Sequence, residues 1–347
     1  PERLTPIVRQ VAAEFITCEH EIGEVELTLF STFPYLGVEI HEVSLIHPID
    51  SVSPDTLAAV DRMVVAVQPF DAIRGDIFIK QLFIEGVTAN VYVSADGRTN
   101  YDVIALSDTT EIVEDTTTGW RIESIGWDED MTIHARSVSY RDDKNQIAAS
   151  LHHTSITLAG VEKDTLLGVV LDVKAEQIDA FVQGEQYANH YQFQLHLPLW
   201  ANSVKQIRID NATCALNEYG ITIDGEVGTP CLSSGEYSMD LRLTTDDWQV
   251  QPLLALFPTS ITSSLKEIKI DGKAKAEIAV QGVYDATQLP HVEARLLFTK
   301  GAARYQPLPY DLHHITLDAT ADIDLNGKQP ATVMIHTLAA QTKQSTL

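Results

Sequence analysis

The chain has 347 residues, 44% of them hydrophobic, enough to bury a sizeable core and to argue against a disordered resting state. Lys and Arg total 24 against 49 Asp and Glu, a formal charge of −25, so the average surface repels nucleic-acid phosphates and anionic headgroups. That sign argues against nucleic acid but not against lipid, because acyl chains respond to apolar surface rather than to charge.

No window approaches the ~20 consecutive apolar residues of a membrane span, and the start carries no secretory-leader pattern. Cys18, Cys214 and Cys231 are too few and too scattered for a disulfide scaffold or a zinc site. They read as core thiols, with a Cys214 to Cys231 bridge as the alternative in an oxidising compartment. The chain begins at Pro1 without methionine and stops at Leu347 just after a strand-like run, so both ends are expected to be cut from something longer.

Thr5 and Pro6 form a helix-start signal, a capping hydroxyl followed by proline at the first helical position. Ile7, Val8, Val11, Ala12, Phe15 and Ile16 then recur at helical spacing. This predicts one amphipathic helix packed on a sheet, a membrane interface being the second reading. From Ile22 to Leu29 the period drops to two, and it does so again over Gly37 to Ile46 and Arg62 to Val67, which predicts strands. Ser53-Pro54-Asp55 suits a short helix through Val60, whereas the run Val64-Val65-Ala66-Val67 suits a strand. Gly75 to Ile84 and Val87 to Val93 read as a pair of strands, followed by an Asp96-Gly97 turn and a short helical turn over Asn100 to Ile104.

Ser107 to Gly119, SDTTEIVEDTTTG, is acidic, threonine-rich and nearly free of core residues, the composition of a mobile surface loop. It divides the chain into an N-terminal region, 1–105, the loop, 106–119, and a continuing β region, 120–347. Beyond it, strands are expected over Arg121 to Trp127 and Met131 to Arg141, and then in close succession to Thr244. One proline-bounded helical turn, Pro252 to Pro258, interrupts before strands resume from Leu265 to Leu325. The expected fold is mostly β, an antiparallel meander with the N-terminal helix and a few short helical turns. A weak internal repeat accompanies it: Tyr140, Leu151-His152-His153 and Thr157-Leu158 are echoed by Tyr305, Leu312-His313-His314 and Thr316-Leu317.

Motifs for chemistry fail on inspection. His41-Glu42 opens like a zinc-protease helix, but Leu45 stands where the second ligand belongs. Asp322 to Gly327 copies the start of a calcium loop, yet its twelfth position is Val333 instead of a bidentate Glu, so a hairpin turn is expected. His152-His153 and His313-His314 lie in expected strands, where neighbours point to opposite faces and cannot chelate one ion. No nucleophile elbow, phosphate-cradling loop or dinucleotide fingerprint occurs. No catalytic residue, metal ligand or cofactor is assigned, and the chain is read as a non-enzyme.

The helix Leu4 to Ile16, the strand Glu21 to Phe30, Ser31-Thr32-Phe33-Pro34 and Gly37 to Leu45 together resemble the N-terminal region of AsmA-like proteins. So do Gly75 to Gly86, the run Val87 to Val93 and the element Asp96-Gly97-Arg98-Thr99-Asn100, in the family's order. The likeness is best over residues 1–105 and continues more diffusely through Leu253 to Pro258, Asp271-Gly272 and Gly282-Val283-Tyr284. It implies a bridge-like lipid transfer protein: a long, curved, twisted sheet open along one side as a groove, in the periplasm of a diderm bacterium. The implied partners are phospholipid acyl chains in the groove and the inner membrane, held by an anchoring helix just before the first helix. The chain departs from the family in lacking that anchor and in ending early. The alternative partners are outer-membrane proteins, with the sheet serving as an assembly factor. Ile77, Ile79, Val91, Val93, Leu195, Leu197, Ile268 and Ile270 are the groove candidates, chosen because they share a face within their own strands; plain core packing is the alternative for each.

Overall fold

A computed structural model describes residues 4–30, 32–68, 76–103, 124–163, 166–203, 206–231, 236–263, 267–285, 287–307, 309–327 and 330–342. Helix α1 (Leu4–Phe15) is followed by β1 (Glu19–Ile22), β2 (Val25–Thr28), β3 (Leu36–Ile46), β4 (Thr56–Val67), β5 (Asp76–Val93) and β6 (Ser124–Asp142). Next come β7 (Ile147–Lys163), β8 (Leu166–Val182), β9 (Glu185–Ser203), β10 (Gln206–Leu216), β11 (Tyr219–Cys231), β12 (Glu236–Thr245) and β13 (Trp248–Gln249). Two short helices, α2 (Val250–Ala255) and α3 (Thr259–Thr262), precede β14 (Ile268–Tyr284), β15 (His291–Tyr305), β16 (Leu312–Asp324) and β17 (Thr332–Gln341). The fold class is the expected one: mostly β, an open sheet of long antiparallel strands not closed into a barrel, with few helical turns.

Several local expectations are corrected. Residues 76–93 form one strand rather than a pair, because Gly86 takes a positive φ of 73° as a bulge and the chain runs on instead of turning. Residues 124–142 are likewise one strand. The stretch from Thr56 is strand, as its β-branched run favours, and Asn100 to Val103 form a bend and irregular backbone, not a helical turn. Helix α1 starts at Leu4, so Thr5 lies inside its first turn rather than capping it. The Asp96-Gly97 turn is present, with the Gly97 amide donating to the Ser94 carbonyl at 2.8 Å. The acidic segment 107–119 lies outside the described residues, as does Ile104.

The meander also has an exception. β5 and β6 pair in parallel, Ile84 opposite Ile133 and Ala89 opposite Val138. Residues 94–123 join them, a connection long enough to bring the chain back to the first end of β5, which a hairpin cannot do. Cys214 is free, and register separates it from Cys231: its partner is Ile221, ten residues earlier than Cys231 on β11, roughly 30 Å along a strand.

The chain divides into two compact units, residues 1–160 with 172–191, and residues 161–171 with 192–347. In the first, β1 and β2 both pair with β3, followed by β4, β5, β6 and β7. Val8 and Ala12 of α1 pack on Ile22, Val25 and Ile40, with Val38, Val43 and Met63 around them. Past the helix end, Cys18, Leu57 and Val103 form a second cluster with Ile16, Leu45 and Ala58. In the second unit the order is β9, β10, β11, β12, β14, β15, β16 and β17, with β13 also on β14.

Residues with left-handed backbone mark irregular lines across the strands. Glu42 of β3, Gly86 of β5 and His153 of β7 have positive φ, and Asp61 and Arg136 on the strands between them are joined by an ion pair at 2.5 Å. The β3 to β4 register runs unbroken past Glu42, His41 opposite Arg62 and Val43 opposite Val60, so neighbouring strands change their alternation together at this line. Val38 and Ile40, on one side of Glu42, therefore share a face with Val43, on the other, and all three join the helix-facing cluster. In the second unit Lys300 and His314 play this part, with register shifts beside them. His153 and His314, the last residues of the echoed Leu-His-His triplets, have φ of 49° and 52°, so the repeat is one of backbone conformation.

Beside Lys300 the ring of Phe298 lies over two glycines. A Cβ on Gly272, which has φ of 146°, would sit 2.6 Å from the ring, and one on Gly301 would sit 2.3 Å from it. Gly272→Ala is expected to destabilise the protein by about 1–3 kcal/mol, from overpacking against the ring and from backbone strain. In a thermal-unfolding double-mutant cycle with Phe298→Ala, the pair should cost less than the sum of the singles, because the ring is the clashing group.

Candidate functional site

Register turns the separate alternations into continuous faces. In the second unit one row runs Ala212, Ile223, Leu243, Ile278, Ala294, Ala321 and Val333, each the backbone partner of the next. A parallel row runs Leu199, Ile209, Gly225, Leu241, Val280, Val292 and Ile323. Neither row contains a polar side chain. Between them on the other face lie Asp224, Arg242, Ala279, Glu293, Asp322 and Thr332. In the first unit the rows are Ile40, Met63, Ile84, Ile133, Ile156 and Val38, Val65, Leu82, Met131, Leu158.

These apolar faces are covered very unequally. Both clusters of fully buried apolar side chains among the described residues lie in the first unit, where α1 covers β1 to β4. Farther across, Leu82, Ile84, Met131, Ile133, Ile156 and Leu158 are only half-buried. In the two rows of the second unit Ala212 is buried, the aliphatic residues after it are half-buried as far as β16, and Val333 on β17 is exposed. An apolar face packed by a helix or a second sheet would be dry throughout. Here a broad strip of aliphatic side chains keeps contact with water.

The opposite face is built for solvent. In the first unit the Arg62 guanidinium donates to Glu39 at 2.5 Å, lies 3.6 Å from Glu85, and stacks 5.6 Å from the centroid of Phe83. In the second, Arg295 donates twice to Asp318, at 3.0 and 2.8 Å, and the Gln281 amide donates to Asp240 at 3.0 Å. A polar-face recess of about 640 Å³ is lined by Arg242, Glu277, Glu293, Arg295 and Asp322. At its margin, ligand atoms of His291, Glu293 and Asp322 converge within 4.8 Å; all three are open to solvent. Sequence reasoning missed this trio because Asp322 joins it only through the β15 to β16 register.

The groove candidates fall as follows. Leu195 sits opposite Cys214, half-buried between exposed Gln194 and His196, and Leu197 is half-buried between His196 and buried Pro198. Ile268 and Ile270 partner Tyr305 and Ala303 of β15 and are half-buried, followed by exposed Lys269 and Asp271 respectively. Ile79 partners Val67 on the helix-bearing face of the first unit, half-buried, and Val91 is half-buried as well. Val93 is buried. The backbone of Ile77 partners Ile125. The most continuous rows, through Leu241, Leu243, Ile278 and Val280, were not singled out. Their alternation is readable in each strand, but their alignment is not.

The burial of Cys214 pushes its thiol up from the ordinary range, which marks it as a packing residue rather than a nucleophile. No helix among the described residues is long and apolar enough to cross a membrane. No protein-family profile, curated protein or solved structure matches the chain.

The hydrogen bond from Arg62 is the main reason that the Glu39 carboxyl is held below the usual range. A carboxylate with a lowered folded-state pKa contributes stability above its unfolded value, about 4.3, and loses it as pH falls through the folded value. Arg62→Met is expected to return the Glu39 titration, followed by NMR, toward the ordinary range. It should also raise the pH at which the protein unfolds in acid.

Proposed function

We propose that the half-covered apolar face binds the acyl chains of phospholipid and that the protein carries or bridges lipid without catalysing a reaction. The observation that carries this reading is the pair of aligned apolar rows in the second unit, unbroken by any polar side chain and left half-exposed from β11 to β16. A bound acyl chain would remove that surface from water, each buried methylene contributing about 0.8 kcal/mol, while a headgroup stays in solvent. Sliding along aliphatic side chains needs no fixed polar partner, which suits transport. The resemblance to AsmA-like proteins supports the same reading and extends it. The full-length protein is proposed to be anchored in the inner membrane and to pass phospholipid through the periplasm toward the outer membrane.

One observation favours a second reading, a scaffold that pairs its sheet edge with outer-membrane proteins. β17 exposes Val333 at 66% and Leu338 at 63%, and Thr332 to Gln341 contains no charged side chain to protect an edge strand. A photo-crosslinking residue at Leu241 distinguishes the two. Lipid adducts support the acyl track, and protein adducts support the scaffold.

Mass spectrometry of gently purified protein is expected to find phospholipid at stoichiometric levels, and consistently lipid-free protein would overturn the reading. Ile278→Lys, which places a charge in the middle of an aliphatic row, should lower the bound lipid several-fold. Gln281→Lys on the opposite face, beside Asp240, should leave it unchanged.

A further inference from the structure

The tightest concentration of exposed aromatic surface lies at the hairpin joining β2 to β3. Phe30 is fully exposed at 102% of its reference area and Phe33 stands at 83%, with Leu29 at 54% and Leu27 at 48%. From Leu27 to Val38 the sequence, LTLFSTFPYLGV, has no charged side chain, although 21% of the chain is charged. Such a segment minimises contact with water when it is covered, not when it stands in solvent.

The hairpin is braced from beneath. Thr32 is buried between the two phenylalanines in sequence, its hydroxyl donating to the Tyr35 carbonyl at 3.1 Å, and the Tyr35 amide donates back to the Thr32 carbonyl at 2.8 Å. Gly37 leaves room for that threonine: a Cβ there would lie 2.8 Å from the Thr32 hydroxyl oxygen. With Thr32 turned inward, Phe30 and Phe33 are held outward. Helix α1 lies alongside, Val8 near Val38 and Ile40 and Ile16 near Leu45. The first turn of the helix is therefore at the same end of β3 as this tip.

We propose that this tip is a membrane-docking element, inserting Phe30 and Phe33 among the acyl chains at the surface of a phospholipid bilayer. A bilayer fits better than a protein pocket for two reasons on the page. The apolar side chains protrude at a turn instead of lining a surface, and residues 27–38 carry no charged side chain to set the register of a protein partner. The net charge of −25 keeps the remaining average surface away from anionic headgroups, so the uncharged tip is the part that can approach. This docking does not depend on the acyl track, since it concerns a different surface of the first unit.

The test uses the full chain with vesicles of phosphatidylcholine. The protein is expected to float with them on a density gradient. Phe30→Ser with Phe33→Ser should lower partitioning at least tenfold, with thermal unfolding unchanged because both rings are exposed. Met334→Ser with Leu338→Ser, both exposed on β17, serves as the control for general stickiness and should float as the parent does. In a Phe30→Trp variant, indole emission should shift to the blue on adding vesicles and be quenched by brominated acyl chains. Failure of the parent to float, loss of flotation in the β17 control instead of the tip variant, or an unshifted indole would each overturn the proposal. Lipid co-purifying with the tip variant at parental levels, while flotation is lost, separates docking from acyl binding. Retained flotation in Ile278→Lys separates them in the other direction.

Discussion

The structure depends on the coupling of a two-residue side-chain period to a fixed hydrogen-bond register. Within β14, Glu277, Ala279 and Gln281 alternate with Ile278 and Val280; only pairing with Arg242 opposite Ala279 and Leu243 opposite Ile278 makes this a division of faces. A slip of one residue would set Glu277 or Ala279 in the aliphatic row and turn Ile278 out among Arg242, Glu293 and Arg295. A carboxylate placed against Leu243 and Ala294 would lose part of its solvation to aliphatic neighbours that offer it no hydrogen bond. The register is thus held by the difference between the faces as much as by backbone hydrogen bonds. The ion pairs of the polar face, weak one by one at solvent-exposed positions, add the same preference from the other side.

Left-handed residues at matching places on neighbouring strands are the condition under which long strands keep that division. Glu42 shifts the alternation within β3, and the aliphatic pattern answers by placing Val43 rather than Ser44 on the helix side. The neighbours remain aligned because Gly86 and His153 are irregular at the corresponding places on β5 and β7. In the second unit, Lys300 sits in the three-residue step between Phe298 and Gly301, opposite a two-residue step from Leu317 to Ile315. Phe298 then spans the two glycines that the irregularity leaves without side chains. The aromatic ring supplies the apolar surface that Gly272 and Gly301 lack, so the face stays continuous through the bend.

What could be read from the sequence follows from these two scales. Alternation is local, so strands such as Glu236 to Thr244 were legible. The helix was legible because its period lies in consecutive residues, whereas the capping role of Thr5 was not, since the helix begins one residue earlier. Register is not local, and it decides which rows align, so Leu241, Leu243, Ile278 and Val280 were passed over. Gly86 was misread because Glu85-Gly86 is as good a turn as a bulge until the partner strands are known. The parallel pairing of β5 with β6 left no signal either, since an acidic segment reads as a loop whether the chain returns beside its own strand or not.

The position of the charge gives the arrangement its functional sense. Acidic residues outnumber basic ones 49 to 24, and within each unit they are interleaved with arginines on the polar face, Arg62 in the first and Arg242 and Arg295 in the second, while the aliphatic rows take none. For solubility alone, a sheet with that much apolar surface would gain from covering it, at about 25 cal/mol for each Å² removed from water. The first unit does this over β1 to β4 with α1. The second leaves its rows half-buried, and no buried apolar cluster among the described residues forms on them. Leaving such surface open is a standing cost to stability unless something apolar spends time there, and the shape of the surface restricts what that can be. Rows of Val, Ile, Leu and Ala at one height, with no donor, acceptor or charge among them, discriminate poorly between polar groups and well between wet and dry. An alkyl chain asks for nothing else.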